Sequence, residues 1–334
     1  MTGAATWFPD PAPARARTAT PACTVAIDAE EDFDWLRPLP DTQYSTISMR
    51  NTEPLYDIFS AYGIVPAYLV TYPVLEDADA VRSLRRRAGR GECVLGLQLH
   101  PWVTPPFDGT AAIAGSFAGN LTPGIEEQKL LTLARRFVAC FGAPPRIFRA
   151  GRYGLGPATP ALLEKHGIEI DVSLAPRTSF AAEGGPDFSG FDCGPFWFGR
   201  ARRLLEIPLC RSIIGWGGAA GRRAYGRFAH PALAALASRL RWAERVTLSP
   251  EGNDEAAMRR LVRRLRARGQ SLFALSFHST SLGIGGNPYV QSKAELHGFY
   301  DRLSAVLDGM ARAGFGFVDL LGVPALLAPP PPPA

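Results

Sequence analysis

The sequence of 334 residues has few histidines, cysteines and lysines: five, five and three, respectively. No run of about 18 or more apolar residues occurs, so we predict no membrane-spanning helix. Residues 1–22 contain no continuous apolar core of the kind that a secretory signal requires. The cysteines are odd in number and form no C-x-x-C pair, which argues against a disulfide framework and a zinc knuckle. We therefore expect a cytoplasmic protein with reduced thiols.

Several familiar functional motifs are also missing. There is no G-x-S-x-G segment, so a serine nucleophile of the α/β-hydrolase type is not predicted. No G-x-G-x-x-G or phosphate-binding P-loop follows a strand-like segment, which argues against a nucleotide-binding open sheet. The net charge of +5 comes from an arginine-rich composition, and the densest runs (85–87 and 259–268) resemble solvated helix faces. We expect no nucleic-acid partner.

Short apolar segments alternate with helix-like segments between residues 21 and 322, without a break in composition. This alternation predicts seven or eight β/α units and favours a parallel sheet closed into a barrel. Three of the predicted elements are a helix at 51–62 with Asn51 as its N-cap, a helix at 123–141 and a strand at 245–249. A doubly wound open sheet is the alternative. The Pro/Ala/Arg-rich residues 1–20 are predicted to be flexible, and residues 323–334 are predicted to form a Pro-rich tail. Between these two ends we predict a single domain over residues 21–322.

Polar residues follow four of the predicted strands, at the point where each strand ends. These are the acidic segment 28–34, Gln98 with His100, Arg149 with Arg152, and His278. Taken one at a time, such residues could cap helices or pair within loops. In a β/α barrel, however, the carboxyl ends of the strands meet on one face, where active sites are built. We therefore predict an active site at this face.

Carboxylates and histidines on one rim favour metal-assisted hydrolysis. Asp28 and Glu30 are two residues apart on an extended segment, so both side chains can point to the same side. One of them could bind a metal while the other accepts the proton of the attacking water. His278, from another strand, would suit the role of acid for the leaving group.

Five segments in order resemble the motifs of the polysaccharide deacetylase superfamily (NodB-homology, carbohydrate esterase 4), in its branch associated with cell-wall and O-antigen biosynthesis. They are AIDAEEDFDW at 26–35, LGLQLHPW at 95–102, FRAGRY at 148–153, DVS at 171–173, and LSFHSTSL at 275–282 with NPYV at 287–290. The resemblance extends over about residues 22–320. It implies a distorted (β/α)7 barrel, a divalent metal (usually Zn2+), and removal of the acetyl group from an acetamido sugar. The substrate implied is a cell-surface polysaccharide or its precursor.

The resemblance also implies a role for each matched residue. Asp28 would be the general base, Arg149 would hold Asp28, and His278 would be the general acid. Glu30 and His100 would be metal ligands. Four further residues would contact the sugar: Gln98, Trp102, Arg152 and Tyr153. The Gly/Pro/Phe-containing insertions 104–121 and 178–203 are expected to shape the pocket.

The second motif departs from the family pattern. Most members have His-x-x-x-His there, with both imidazoles on the metal, whereas this chain has Gln98 and Trp102 at those two positions and keeps only His100 between them. A neutral amide is a poor zinc ligand. Three outcomes are open: Glu31 or Asp32 completes the site, a harder metal binds through oxygen, or metal binding and activity are lost.

Two other functions therefore stand beside deacetylation. A glycoside hydrolase could use Asp28 and an acidic neighbour as its carboxylate pair, although such pairs usually come from different strand ends. A non-catalytic sugar-binding protein on the same scaffold is the other alternative, and Gln98 is the feature that supports it.

Overall fold

A computed structural model describes residues 4–33, 35, 44–107, 113–200, 202–225 and 231–332 of the chain. In these residues the strands are β1 (Ala12–Pro13), β2 (Ala22–Ala29), β3 (Ala67–Val70), β4 (Val94–Leu99), β5 (Ile147–Ala150), β6 (Ile170–Asp171), β7 (Phe196–Phe198), β8 (Leu204–Glu206), β9 (Arg211–Ile214), β10 (Glu244–Thr247), β11 (Leu272–His278) and β12 (Gly316–Phe317). The helices are α1 (Glu53–Ser60), α2 (Tyr72–Glu76), α3 (Ala78–Gly89), α4 (Pro123–Phe141), α5 (Thr159–Lys165), α6 (Gly218–Tyr225), α7 (Pro231–Arg239), α8 (Glu255–Arg266), α9 (Lys293–Arg312) and α10 (Val323–Leu326).

The central sheet is mostly parallel. Its strand order is β1-β7-β8-β6-β5-β4-β3-β2-β11, and β12 pairs with β2. Only β1 and β7 run antiparallel to their neighbours in this sheet. Strands β9 and β10 form a separate antiparallel pair, so the strand predicted at 245–249 does not continue the parallel order as the sequence pattern indicated.

Single hydrogen bonds connect the two edges of the parallel sheet through the β9/β10 segment. The amide of Leu209 donates to the carbonyl of Leu174 over 3.0 Å, and Leu248 donates to Cys210 over 2.8 Å. Ser276 on β11 then donates to Leu248 over 3.2 Å. The predicted α/β barrel-like fold is confirmed as a single domain, but within the described residues no continuous ladder closes the barrel.

The alternation of side chains along the strands places the functional residues. Both faces of β2 are buried, as expected for a parallel strand that is covered on both sides. Cys23, Val25 and Ile27 pack into one apolar cluster, while Ala22 and Ala26 pack into a second cluster. Asp28 has the same parity as Ala22 and Ala26, so it lies at the end of the row that faces the barrel interior.

The two chain ends pack against the barrel, which corrects the prediction that residues 1–20 are flexible; the Pro-rich tail at 323–334 also makes contacts. Phe8 is 2% exposed, and β1 pairs with β7. At the other end Leu327 is buried, and the Arg202 guanidinium donates to the carbonyl of Pro331 over 3.1 Å. One buried aromatic side chain and a few hydrogen bonds therefore hold these Pro-rich ends against the barrel, although their sequences show no helical or strand periodicity.

No helix in the described ranges combines the length and the apolar composition needed to cross a bilayer. The five cysteines are all buried and unbridged. They therefore act as small apolar core residues.

Candidate active site

The described residues enclose a cavity of about 640 Å3 at the carboxyl ends of the parallel strands. All nine of the predicted site residues line it: Asp28, Glu30, Gln98, His100, Trp102, Arg149, Arg152, Tyr153 and His278. These residues come from four strand ends that are far apart in the sequence. The cavity therefore forms where the strand-end pattern placed the site.

Asp28 and Arg149 form a buried ion pair inside the cavity. Nη1 of Arg149 donates to both carboxylate oxygens of Asp28, over 2.7 and 2.9 Å, and to Oγ of Ser276 over 3.1 Å. Asp28 and Arg149 are each 2% exposed. A carboxylate held in this way has a fixed orientation.

His278 is held at the end of β11 by Glu251, which the sequence analysis did not identify. Nδ1 of His278 is 2.8 Å from Oε2 of Glu251, and the backbone amide of His278 donates to Oε1 of Glu251 over 2.9 Å. Nε2 of His278 is left 3.6 Å from Oδ2 of Asp28. Glu251 directly follows the strand predicted at 245–249, so the strand-end pattern that indicated the other residues also indicates Glu251.

Burial opposes protonation of His278, but the charges of Glu251, Glu30 and Asp28 outweigh it and raise the pKa of His278 to about 10. Glu251 is itself fixed, because Oγ of Ser281 donates to its Oε1 over 2.5 Å. Carboxylate, imidazole and hydroxyl thus form one connected hydrogen-bond network.

A second polar group is formed by Glu30, Gln98 and His100. Nε2 of Gln98 donates to Oε2 of Glu30 over 3.0 Å and is 2.9 Å from Nε2 of His100. Nε2 of His100 is 3.5 Å from Oε2 of Glu30. Nδ1 of His100 is 2.7 Å from Oε1 of Glu31, and a carboxylate at this position selects the tautomer whose Nε2 is free to accept or to bind a metal.

The other acidic candidates lie elsewhere. Glu31 supports His100 from outside the cavity, and Asp32 bonds to Ser45 and to the backbone of Ser48 over 3.0 and 3.1 Å. Neither carboxylate lines the cavity, which argues against the outcome in which Glu31 or Asp32 completes the metal site. Asp34 lies outside the described residues.

Two observations on these residues fit a bound cation. Ligand atoms of Asp28, Glu30 and His278 all lie within 4.8 Å of one another. Oε1 of Glu30 and Oε1 of Gln98 are buried and accept no hydrogen bond in the described structure. Burial raises the pKa of Glu30 to about 7, although the charges of His278 and His100 lower it. The protein alone therefore compensates the negative charge of this buried carboxylate only in part. Carboxylate and imidazole are ligand types that divalent cations accept.

The turn after β5 has a strained backbone that brings it close to His100. Arg152 and Tyr153 have φ values of 53° and 57°, in the left-handed region that side chains other than glycine rarely adopt. A Cβ atom on Gly151 would lie 2.2 Å from Cδ2 of His100. Glycine at this position is therefore required by the close approach of the His100 ring.

Aromatic side chains form part of the cavity wall. Trp102 stacks on His100 with ring centroids 4.2 Å apart, and Trp35 contacts His278 edge-on at 5.0 Å. Such flat walls suit contact with a sugar ring. Arg152 lines the cavity but pairs with Glu183, so its charge is already compensated within the protein.

The DVS segment contributes Asp171 to a carboxylate pair that does not line the cavity. Asp171 on β6 is the register partner of Glu206 on β8, and both are fully buried. Burial raises the pKa of Asp171 to about 6 and that of Glu206 well above its usual range, while the charge of Arg149 lowers both. The pair is therefore coupled to the Arg149–Asp28 ion pair.

No family model and no curated protein sequence matches the chain. Among solved structures, the fold is similar to that of a protein assigned as a polysaccharide deacetylase from Mycobacterium smegmatis. The TM-score is 0.52 at 15% identity, over 93% of each chain.

Two weaker matches have TM-scores of 0.43 and 0.42. One is the Xyl-CE4 domain of a multidomain xylanase from the hindgut metagenome of Trinervitermes trinervoides, at 9% identity over 94% of this chain and 95% of that chain. The other is the peptidoglycan deacetylase PdaC from Bacillus subtilis, at 10% identity over 92% of this chain and 91% of that chain. The Mycobacterium smegmatis structure, at a TM-score of 0.52, confirms the resemblance predicted from the sequence motifs at the level of the fold.

Proposed function

We propose that the chain is a metal-dependent carbohydrate N-deacetylase, which hydrolyses the amide of an acetamido sugar on a cell-surface polysaccharide or its precursor. The observation that carries the proposal is the pair of oriented groups in one cavity. Asp28 is held by Arg149, and His278 is held by Glu251, with their reactive atoms 3.6 Å apart. An acid and a base that face the same part of one cavity are what hydrolysis of an amide needs.

The carboxylate of Asp28 would accept the proton of the attacking water. Nε2 of His278 would donate a proton to the amine that leaves. Arg149 and Glu251 act as positioning residues, because each holds its partner in a fixed orientation. Trp102 and Tyr153 would bind the sugar ring by stacking.

The residues present fit a divalent cation, which Glu30 and His100 would hold, with Asp28 nearby. The unpaired Oε1 of Glu30 and the Nδ1 bond from His100 to Glu31 support this assignment. Such an ion, when bound, supplies Lewis acidity to the amide carbonyl and to the attacking water. The orphaned carboxylate oxygen and the fixed imidazole are features of the chain that an ion would satisfy.

The test is acetate release from an N-acetylglucosamine oligosaccharide by the purified protein. Asp28→Asn keeps an oxygen acceptor for Arg149 but removes the base, so we expect the rate to fall by about 100-fold or more. Asp57→Asn, at an exposed position on α1, is the matched control and should behave like wild type. A chelator should abolish the reaction and added Zn2+ should restore it. Undiminished acetate release by Asp28→Asn would contradict the mechanism.

A second candidate, a sugar-binding protein without catalysis, is favoured by one contact. The amide nitrogen of Gln98 lies within 3.0 Å of both Glu30 and His100, so it contacts the two side chains that a metal would otherwise join. This candidate predicts glycan binding without metal and without acetate release. Zinc bound in a 1:1 ratio after dialysis would exclude it.

A further inference from the structure

The cavity has a second polar wall, formed by the antiparallel pair β9/β10. In this pair Arg211 lies opposite Thr247, and Arg245 lies opposite Ile213. Because directly opposed residues share a face and alternate residues repeat it, Arg211, Arg245 and Thr247 are on one face of the pair. All three line the cavity. Two guanidinium groups therefore lie on the wall of the cavity that holds Asp28 and His278.

These two arginines lack the carboxylate partners that the other cavity arginines have. Nε of Arg211 donates to Oγ1 of Thr247 over 2.8 Å, and its Nη1 donates to Oγ1 of Thr178 over 2.7 Å. Arg245 makes one long bond of 3.4 Å, to the carbonyl of Arg177. In the described part of the chain, neither Arg211 nor Arg245 has a carboxylate oxygen within 4.0 Å. Arg149 and Arg152 are both paired.

Arg211 is half-buried, and such an arginine without a counter-charge is unusual, because desolvation of a charge is costly unless an opposite charge offsets it. Two like charges that are diagonal neighbours on one sheet face add repulsion. In agreement with this, burial and the neighbouring Arg245 lower the pKa of Arg211. The pair is therefore arranged as an anion would require, with planar donors and a hydroxyl converging on one wall.

The arginine wall is close to the reacting groups. Burial raises the pKa of Tyr153 to about 12, while the charges of Arg149 and Arg211 both lower it. The Arg149 guanidinium is 5.6 Å from the centre of the Tyr153 ring. Tyr153 thus lies within the electrostatic reach of both arginines. Tyr153, Asp28 and Arg211 all line the one cavity, so a ligand that stacks on Tyr153 shares that cavity with the arginine wall.

We propose that Arg211 and Arg245 bind an oxyanion carried by the substrate, so that the preferred substrate is an anionic acetamido sugar, with a phosphate ester or a carboxylate on the sugar or on the adjoining unit. This inference rests on the proposed deacetylase function and specifies its substrate class. Arg211 donates through its planar fork, Arg245 supplies a second positive charge, and Thr247 lies beside them.

The experiment measures binding and acetate release separately, on the full chain. Calorimetry compares N-acetylglucosamine 1-phosphate, a 2-acetamido-2-deoxy uronic acid and neutral N-acetylglucosamine, for wild type, Arg245→Gln and Arg211→Gln. Arg245 is exposed, so Arg245→Gln keeps a readable result if Arg211→Gln fails to fold. Arg135→Gln, on an exposed position of α4, is the matched control for loss of one positive charge.

Wild type and Arg135→Gln should bind one of the two anionic sugars at least about tenfold more tightly than the neutral sugar, and that preference should weaken with added salt. In Arg245→Gln the ratio of the two affinities should fall by about tenfold, since a charge-assisted hydrogen bond is lost. Whichever anionic sugar shows the larger preference identifies the source of the oxyanion.

Equal affinity for charged and neutral sugars in wild type would overturn the inference, as would an unchanged ratio in Arg245→Gln. The two proposals fail differently. Tight binding of the anionic sugar without acetate release would support the anion site and contradict the deacetylase function. Acetate release at equal rates from neutral and anionic sugars would support the deacetylase function and contradict the anion site.

Discussion

At the residue scale, the chemistry of the cavity depends on which partner holds each nitrogen of its two histidines. Glu251 is hydrogen-bonded to Nδ1 of His278, and Glu31 is hydrogen-bonded to Nδ1 of His100. In both residues Nε2 is therefore directed into the cavity, but the surroundings differ. His278 faces Asp28, where a proton donor is useful, and His100 faces Glu30 and Gln98, where a metal ligand is useful.

Gln98 is the residue at which metal affinity should be most easily changed. Gln98→His would add an imidazole beside His100 and Glu30, and imidazole is a far better zinc ligand than an amide. We expect zinc affinity to rise by at least about tenfold, which corresponds to only about 1.4 kcal/mol. Competition with a chromophoric chelator measures the change.

Gln128→His, on an exposed position of α4, controls for the addition of a histidine elsewhere. If both variants gain the same affinity, the added ligand acts away from the cavity and the assignment of Glu30 and His100 as metal ligands is contradicted.

At the element scale, local signals determined some boundaries well and others poorly. Helix α4 was predicted over 123–141 and is observed there, because Pro123 begins it and Gly142, with a φ of 77°, ends it. Helix α1 is shorter than predicted and begins after Thr52 instead of Asn51. The antiparallel pairing of β9 with β10 had no local signal, since pairing direction depends on the path of the chain between the two strands.

The connection between β5 and α5 should be sensitive to any side chain at position 151. Gly151→Ala would place a Cβ atom 2.2 Å from the His100 ring, so either the ring or the turn must move. We expect a loss of about 1–3 kcal/mol in the free energy of unfolding, together with weaker metal binding because His100 leaves Glu30. Urea unfolding and zinc titration measure the two effects.

Gly124→Ala on α4 is the matched control, because no atom lies within 4 Å of the added Cβ. That variant should be as stable as wild type or slightly more stable. Equal behaviour of the two variants would show that the close approach at Gly151 has no functional effect.

At the scale of the whole molecule, the two ends complete the domain. The rings of Phe191, Phe196 and Phe198 surround Phe8 edge-on, with centroids 5.1–5.5 Å away. The amide of Arg17 donates to the carbonyl of Leu326 over 2.9 Å, which joins the two ends. Residues far outside the barrel motifs thus contribute to its core.

Truncation of Phe8 should therefore destabilise the entire domain. Phe8→Ala removes a 2% exposed aromatic side chain, and such substitutions typically cost about 3–5 kcal/mol in the free energy of unfolding. Urea unfolding followed by tryptophan fluorescence measures the loss. Ile47→Ala, at a position that is 62% exposed, should change stability by less than about 0.5 kcal/mol. A Phe8→Ala variant as stable as wild type would mean that the N-terminal segment does not pack on the domain in solution.

The sequence by itself determined the β/α alternation and the strand ends at which polar residues converge, because hydrophobic runs, caps and side-chain alternation act between near neighbours in the chain. It also indicated nine of the residues that line the cavity. Only the tertiary structure decided which side chains meet: Glu251 with His278, Glu31 with His100, Asp32 with Ser45, and Arg211 beside Arg245. It likewise decided that Phe8 and Leu327 are buried. These contacts join residues that are widely separated in the sequence, and burial and charge compensation between such residues depend on how the chain closes around the barrel.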